Sequence, residues 1–345
     1  MVCPAPLTQR DRIVLGHGSG GRLSAELLRD VFLPLFSNPV LDRMDDQAIV
    51  EIGGSRVAFT TDSFVVQPLF FPGGDIGSLA VHGTINDLAM GGARPLFLSA
   101  GFILEEGFST EALRRIAASM AEAAAAAGVS IVTGDTKVVE RGKGDGVFIN
   151  TTGIGIVPEG VRLSASQARP GDRVILSGAI GDHGIAILAK REGLEFETEI
   201  LSDSAALHEL VERMLLAAPA GAVRCLRDPT RGGVSSALNE IALQSRVSIQ
   251  IEESNIPVRD DVRGACELLG LDPLYVANEG KLLAIVAPEA ADEIVAAMRL
   301  DPRGAEAAII GSVGNESAGM VTMRTAFGST RIVDMLAGEQ LPRIC

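Results

Sequence analysis

Short apolar, β-branched runs alternate with longer segments of helical periodicity along most of this chain. Residues 55–66 have the composition of a strand. Residues 75–92 predict a helix that begins after Asp75 as N-cap and ends at two glycines. Residues 109–128 predict a second helix, with apolar side chains at helical spacing and Ser109 or Thr110 as its cap. The pattern therefore predicts mixed α and β structure.

A turn-rich connector, residues 157–172, interrupts this alternation before it resumes in the second half. We therefore predict two domains, residues 1–160 and 161–335, followed by a tail of residues 336–345. A chain of 345 residues exceeds the size at which one core usually stops growing, which favours two domains. Both halves have α+β character, and no internal repeat is clean enough to indicate duplication.

The composition excludes several classes of protein. Apolar residues make up 47% of the chain and charged residues 21%, which is typical of a well-buried globular fold. A net charge of −14 argues against nucleic acid as a partner. The apolar stretches are far shorter than the roughly 20 residues of a membrane span, and the N-terminus lacks the order of a signal peptide. We expect a cytoplasmic protein without contact to a membrane.

Cysteine and histidine usage gives no sign of a zinc site or a disulfide framework. The four cysteines form no Cys-x-x-Cys pair, and the four histidines are scattered along the chain. This usage is consistent with a reducing compartment.

A glycine-rich stretch near the N-terminus, "GHGSGG", matches the pattern G-x-G-x-x-G between an apolar run and a helix-like segment. The helix-like segment breaks at Pro34 and Pro39, with no second parallel strand, which disfavours a dinucleotide-binding fold. A mobile loop whose backbone amides approach phosphate is the better functional interpretation, and an ordinary flexible turn is the alternative.

Several aspartates stand in apolar or glycine-rich surroundings instead of among other charges. They are Asp45, Asp46, Asp62, Asp87, Asp135 and Asp228. Burial of several ionised carboxylates is costly unless cations neutralise them, and Mg²⁺ bound between carboxylates and nucleotide phosphates would do so. Taken singly, an aspartate such as Asp228 is more simply a cap of a helix or turn. The set as a whole favours a metal.

The last residue of the chain is Cys345. A thiol there is either a chance occurrence on a fraying terminus or a nucleophile at the tip of a movable tail. The residues around it do not decide between these alternatives.

The chain closely resembles the HypE family of hydrogenase maturation proteins in many segments from about Ile13 to Cys345. These include "HGSGG", "DDQA", "TINDLAMGGARP", "TGDTKVVERGKGDGVFINTTGIG", "DPTRGGVSSALNEIA", "VANEGK" and the terminal "LPRIC". That family belongs to the superfamily of aminoimidazole ribonucleotide synthetase and selenophosphate synthetase. The resemblance implies a two-domain PurM-like fold that uses ATP. It also implies a homodimer whose N-terminal domains share a β-barrel, with ATP near that interface, and a C-terminal α/β sandwich domain.

The resemblance further implies an activity for the terminal cysteine. Proteins of this family receive a carbamoyl group from HypF as a thiocarboxamide and dehydrate it with ATP to a thiocyanate. The cyanide then passes to iron held by HypC and HypD, for the nickel-iron hydrogenase. Cys345 matches the carrier position.

Site residues are carried over from the family by motif. Glu279 matches the proton acceptor, and Lys137 matches the residue that stabilises the activated amide. The implied Mg²⁺ ligands are Asp46, Asp62, Asp87 and Asp228, with the choice between Asp45 and Asp46 left open. The implied ATP-binding residues are those four aspartates with Gly18, Ser19, Gly20, Gly21, Asn86 and Asp135.

Two other functions share part of this evidence. A selenophosphate synthetase would use the same ATP and aspartates but needs a reactive cysteine near the glycine-rich loop, and Cys3 is too far upstream. A non-catalytic maturation scaffold could dock through an extended tail peptide.

Overall fold

The computed structural model describes residues 12–194, 196, 198–338, 341 and 343–345. Residues 1–11 lie outside this description, and with them Cys3 and the segment in which no signal peptide is expected. The helices are α1 (Arg22–Leu27), α2 (Leu33–Phe36), α3 (Ile76–Met90), α4 (Thr110–Ala126), α5 (Asp182–Glu192), α6 (His208–Ala217), α7 (Gly233–Ser245), α8 (Asp260–Leu269) and α9 (Ala291–Met298).

Strands form two main sheets and one short ribbon. The strands are β1 (Ala48–Ile52), β2 (Ser55–Phe64), β3 (Phe70–Phe71), β4 (Gly74–Asp75), β5 (Arg94–Glu105), β6 (Ser130–Val139), β7 (Val147–Ile156), β8 (Arg173–Leu176), β9 (Val223–Arg227), β10 (Ser248–Glu252), β11 (Leu283–Val286), β12 (Ala308–Gly314), β13 (Val321–Arg324) and β14 (Thr330–Ile332). The predicted mixture of α and β structure is confirmed.

The first sheet has the order β1-β2-β7-β5-β6, with β6 at one edge. Strands β1 and β2 form a hairpin through Gly53 and Gly54, both of which have positive φ, a conformation that glycine adopts without steric cost. Helix α3 packs on β2 and β7, and α4 packs on α3. The alternating burial along β2 and β7 follows from this, since only one face of the sheet is covered by helices.

Both predicted helices of this unit are confirmed. The carboxylate of Asp75 accepts hydrogen bonds from the amides of Gly77 (2.8 Å) and Ser78 (3.0 Å), as an N-cap does. Ser109 caps α4, since its hydroxyl accepts from the amide of Ala112 at 3.3 Å. This decides between Ser109 and Thr110.

The segment after the glycine-rich stretch is helical for longer than predicted. Helix α1 continues through a π-helical turn, Leu28–Phe32, into α2, which contains Pro34 in its first turn. The predicted break at Pro34 is therefore wrong. Proline is tolerated there because α2 directly follows the π-helical turn, where the regular amide-to-carbonyl pattern of an α-helix is interrupted.

The second sheet has the order β14-β13-β10-β12-β8-β11-β9 and is built entirely from the second half of the chain. The predicted boundary at residues 160–161 lies in the connector between β7 and β8. One apolar cluster joins α3, α5, α8 and the end of the tail, so the two halves pack against each other. No helix in the described part of the chain is both long and apolar enough to cross a bilayer.

Candidate functional site

A cavity of about 370 Å³ lies where the first sheet, α3, the N-terminal segment and the second half of the chain meet. Among the described residues its lining includes two guanidinium groups, those of Arg227 and Arg231, and the thiol of Cys345. It also includes seven carboxylates, those of Asp45, Asp46, Asp62, Asp87, Asp228, Glu240 and Glu279. The structure thus brings together all four predicted metal ligands and two of the three predicted catalytic residues.

Regular elements place three of these carboxylates. Asp62 projects from β2 and Asp87 from α3, while Asp228 directly follows β9. The hydroxyl of Thr60, also on β2, donates to the carboxylate of Asp87 at 2.8 Å and lies 3.0 Å from the backbone carbonyl of Asp46. Side chains two residues apart on a strand share a face, so Thr60 and Asp62 both face α3.

Burial raises the pKa values of five carboxyl groups in the cavity, those of Asp46, Asp62, Asp87, Asp228 and Glu279. For Asp87 the pKa lies well above its usual range because of burial first, and then because of the negative charges of Asp228, Asp62 and Asp46. Burial likewise raises the pKa of Asp62, which the positive charge of Arg231 partly opposes. For Asp228, burial raises the pKa to about 6 against the attraction of Arg227. The cavity therefore favours the addition of positive charge.

Arg227 is a member of the site that the sequence reasoning missed. Its Nε lies 3.1 Å from the carboxylate of Asp46, one Nη is paired with Glu240, and the other donates to the carbonyl of Met44 at 3.2 Å. It directly precedes Asp228 in the segment "RDPTRGG", in which Arg231 is the second arginine. Two arginines beside a buried aspartate were the available signal.

The choice between Asp45 and Asp46 can now be described by contacts. One oxygen of Asp45 accepts from the hydroxyl of Ser164 and the amide of Ala165, each at 3.0 Å, and so anchors the connector between the halves. Asp46 instead pairs with Arg227, and its pKa is raised mainly by burial. These contacts favour Asp46 as the residue available to a ligand in the cavity.

Glu279 is 3% exposed, and its Oε1 has no hydrogen-bond partner among the described residues. Burial, followed by the negative charges of Asp228 and Asp62, raises its pKa well above the usual range. Its backbone amide donates to Asp203 at 3.0 Å. The following residue, Gly280, has no room for a side chain, since a Cβ there would lie 1.8 Å from the carbonyl of Asp203.

Asn86 does not offer its side chain to the cavity. Its amide nitrogen donates to the carbonyls of Ala205 (3.0 Å) and Glu279 (3.2 Å), and its oxygen accepts from the amide of Leu207 at 2.8 Å. Asn86 therefore joins α3 to the segments that position Glu279 and begin α6.

Cys345 is 8% exposed and lies inside the fold. Burial raises the pKa of its thiol to about 12; the positive charge of Arg231 opposes this, and Glu279 and Asp62 add to it. The thiol is therefore protonated at neutral pH in this position. Cys225 and Cys266, the other described cysteines, are also free and buried.

The glycine-rich loop contacts the start of the tail and reaches the cavity through Gly20, whereas Gly18, Ser19 and Gly21 are not part of the cavity lining. Gly20 has positive φ and lines the cavity, and a Cβ there would lie 2.5 Å from the carbonyl of Arg231. The hydroxyl of Ser19 donates to the carbonyl of Gly338 at 3.1 Å, and a Cβ at Gly21 would lie 2.3 Å from the carbonyl of Leu336. The carbonyl of Gly18 accepts from Arg231 at 3.2 Å.

Lys137 and Asp135 lie elsewhere. Both are on the edge strand β6, with side chains 70% exposed, and they form an ion pair with each other at 2.5 Å. Neither residue is part of the cavity lining.

The carboxylates do not by themselves form a finished metal site. Among the residues that the structure describes, no three His, Cys, Asp or Glu side chains are grouped closely enough to hold a metal ion. The buried, like-charged carboxylates nevertheless suit Mg²⁺, which commonly takes one or two carboxylates and completes its shell with phosphate and water. The donor set fits a nucleotide-bound cation better than a cation held by protein alone.

Comparison with known proteins identifies the family. Profiles described as AIR synthase related protein, N-terminal domain and C-terminal domain, match residues 44–157 and 169–324. The carbamoyl dehydratase HypE of Azotobacter vinelandii is 62% identical over 329 residues, which cover 95% of this chain and 96% of that protein. The chain belongs to the HypE family. The predicted family and its PurM-like fold are therefore confirmed.

Solved HypE structures agree with this fold. A HypE structure described as a complex with ATP has a TM-score of 0.81 and 52% identity, and the match covers 97% of this chain and all of that chain. Another, described as a HypE-HypF complex, has a TM-score of 0.85 and 49% identity over 90% of this chain and 99% of that chain.

Proposed function

We propose that this protein is an ATP-dependent carbamoyl dehydratase that converts a thiocarboxamide on Cys345 into a thiocyanate, the source of cyanide for nickel-iron hydrogenase maturation. The observation that supports this most directly is the position of Cys345. The C-terminal thiol and the orphan carboxylate of Glu279 line the same acidic cavity. The activity in the name of the HypE relatives and the ATP complex of a HypE structure support the same function.

The proposed chemistry balances in two steps. The amide oxygen of the thiocarboxamide attacks the γ-phosphorus of ATP and ADP leaves, which converts a poor leaving group into phosphate. Loss of that phosphate and removal of the two amide protons leave the carbon–nitrogen triple bond on sulfur. Mg²⁺ would neutralise the charge of the phosphates. Asp46, Asp62, Asp87 and Asp228 would hold this ion.

Glu279 is the proposed proton acceptor. A carboxylate that is buried beside other negative charges holds a proton more tightly than one in water, and this makes it a better base. Its orphan Oε1 has no competing donor within the described residues. Arg231 offers the compensating positive charge, because it interacts with Cys345 as well as with Glu279.

A homodimer is part of the proposal, because Lys137 lies outside its own cavity. On the sheet face away from α3, the cross-strand neighbours Phe59, Ile154 and Phe97 are 40–46% exposed. A row of large apolar side chains on three strands favours coverage by a second copy. Coverage of this face would bring β6 and Lys137 into an interface, where the lysine could reach the activated amide of the other protomer.

We propose HypF as the donor of the carbamoyl group, which the HypE-HypF complex supports, and HypC with HypD as the acceptor of cyanide. Nucleic acid and membranes are not proposed as partners. We place the protein in the cytoplasm, where all these partners would meet.

The decisive experiment is mass spectrometry of the C-terminal peptide after incubation with HypF, carbamoyl phosphate and ATP. We expect the C-terminal peptide to gain the mass of a carbamoyl group on Cys345 and, as the incubation with ATP proceeds, to lose the mass of one water. The Cys345→Ala variant, treated in the same way, is the control. A wild-type peptide that never gains the group would overturn the proposal. ATP turnover independent of Cys345 would favour the selenophosphate synthetase alternative, and the absence of any ATP turnover would favour the non-catalytic scaffold.

A further inference from the structure

The tip of the tail is held mainly through its backbone. The amide of Val65 donates to a main-chain carboxylate oxygen of Cys345 at 3.0 Å, and the amide of Gln67 donates to the carbonyl of Arg343 at 3.1 Å. The tail therefore lies alongside the segment that follows β2, with the alternating pattern of a short strand pair. These bonds require nothing of the tail's side chains.

Helix α5 provides two further donors. The Nε2 of His183 lies 2.6 Å from the carbonyl oxygen of Ile344. Near the other end of the helix, an Nη of Arg191 donates to the carbonyl of Arg343 at 2.8 Å, and its guanidinium also donates to the carbonyl of Gln67. Eight residues of helix span about 12 Å, so the two side chains contact neighbouring carbonyls from different directions.

The hydrogen bonds of His183 determine its tautomer. A carbonyl oxygen only accepts, so Nε2 carries the proton that is donated to Ile344. On the other side, Nδ1 lies 2.8 Å from the hydroxyl of Ser202, which itself accepts from the amide of Ser204 at 3.1 Å and is free to donate to the ring. Phe71 packs edge-on at 5.7 Å and restricts the ring. Burial lowers the pKa of the imidazole, so His183 is a neutral, oriented donor.

We propose that His183 and Arg191 form a latch on α5 that holds the C-terminal tail in the cavity by binding its backbone carbonyls, and so sets how long Cys345 stays at the reaction site. The role of the latch in the reaction rests on the proposed function, whereas the contacts that form it do not. Both are positioning residues, since neither side chain lines the acidic cavity.

The arrangement explains how a modified tail can occupy the same position. The four hydrogen bonds that Val65, Gln67, His183 and Arg191 donate to the tail all end on main-chain oxygens. A group on the sulfur of Cys345 therefore leaves them intact. The side chain of Arg343 adds an ion pair with Asp145 and a hydrogen bond of 3.0 Å to the carbonyl of Val65. A partner that takes the tail outward must replace these contacts.

The test compares His183→Leu, which removes the donor, with His183→Gln, which retains one at a similar position. Cys345 is alkylated by a small thiol reagent in the full-length protein without nucleotide, and a Cys345→Ala background is subtracted. We expect Cys345 to be labelled about three- to tenfold faster in His183→Leu, because this variant loses one hydrogen bond to the tail. The labelling rate should return toward the wild-type rate in His183→Gln. Arg191→Met and Arg191→Lys form a second matched pair.

A truncation separates the latch from ordinary packing. In a chain that ends at Pro342, His183→Leu should lower the melting temperature less than it does in the full-length protein, because the partner carbonyl is absent while the contacts with Ser202 and Phe71 remain. Cys225 and Cys266 should label no faster in either variant. Equal labelling of Cys345 in wild type and His183→Leu, or an undiminished stability effect in the truncated chain, would overturn the latch.

The same variants distinguish the latch from the proposed function. In His183→Leu we expect carbamoyl transfer from HypF to be unimpaired and single-turnover dehydration to be slower by a factor similar to the gain in labelling. If wild type never accepts a carbamoyl group while labelling responds as expected, the latch stands and the function fails. If labelling does not respond while dehydration proceeds, the function stands and the latch fails.

Discussion

The side-chain amide of Asn86 on α3 donates a hydrogen bond to the backbone carbonyl of Glu279, 3.2 Å away in the other half of the chain. The same side chain binds Ala205 and Leu207, so a single buried amide joins three segments. The position of the proposed base thus depends on a residue that does not face the cavity.

We expect Asn86→Ala to destabilise the protein by about 2–4 kcal/mol, because it removes the partner of the Ala205 carbonyl and of the Leu207 amide in a buried site and leaves the carbonyl of Glu279 only its 3.4 Å bond from the amide of Ala205. Dehydration should fall more than carbamoyl acceptance, since Glu279 is displaced and the tail is not. Urea denaturation measures the first effect and single-turnover kinetics the second. Asn255→Ala, at an exposed site, is the matched control, and equal stability of the two variants would contradict the role of Asn86.

Glu279→Gln should accept a carbamoyl group at the wild-type rate and fail to dehydrate it. Glutamine keeps the size and hydrogen-bonding shape of the side chain and loses only the ability to take up a proton. Mass spectrometry of the C-terminal peptide should show the thiocarboxamide accumulating. Thiocyanate formed at the wild-type rate would exclude Glu279 as the base.

Asp62→Asn and Asp87→Asn should each weaken binding of Mg-ATP by about tenfold or more, because each removes one negative charge from a cavity suited to a divalent cation. Both variants should remain folded, since neutral side chains reduce the repulsion within the cavity. Calorimetric titration with Mg-ATP and circular dichroism measure the two properties. The exposed Asp292→Asn serves as the control, and unchanged affinity in both cavity variants would rule out these metal ligands.

Asp228→Asn should make the nucleotide-free protein more stable at neutral pH. Burial raises the pKa of Asp228 from 3.8 to about 6. A carboxyl group with a raised pKa contributes stability at low pH that is lost as pH rises through the folded-state value, here between about pH 4 and 6. This difference corresponds to at most about 3 kcal/mol.

The measurement is urea denaturation of wild type and Asp228→Asn at about pH 4.5 and about pH 7.5, without nucleotide or Mg²⁺. The advantage of the asparagine variant should grow with pH. If the stability gained by Asp228→Asn is the same at both pH values, Asp228 is ionised in the folded protein at both. That result would contradict the raised pKa of this carboxyl group.

Local elements were predictable from the sequence because their signals are local. The cap at Asp75, the apolar spacing of α4 and the β-branched composition of β2 each depend on residues a few positions apart. The run after the glycine-rich loop was misjudged at Pro34, because a π-helical turn before it changes which amides need a partner.

The candidate site was predictable in part. The sequence marked Asp62, Asp87 and Asp228 through their apolar neighbours, and the family resemblance marked Glu279 and Cys345. Although Arg227 and Arg231 flank Asp228 in the sequence, the sequence did not indicate that Arg227 pairs with Asp46 or that Arg231 interacts with Asp62, because those pairings depend on distance in space and not along the chain. Asn86 was expected at the nucleotide and instead joins the two halves.

The sequence by itself determined the family, the mixed α and β elements and the supply of carboxylates that a nucleotide site requires. Only the tertiary structure decided that Cys345 lies inside, 8% exposed beside Glu279, and that Lys137 lies outside on an edge strand. The reason is physical: a short tail has no stable conformation of its own, and its position is set by donors such as Val65 and His183 that are distant in sequence.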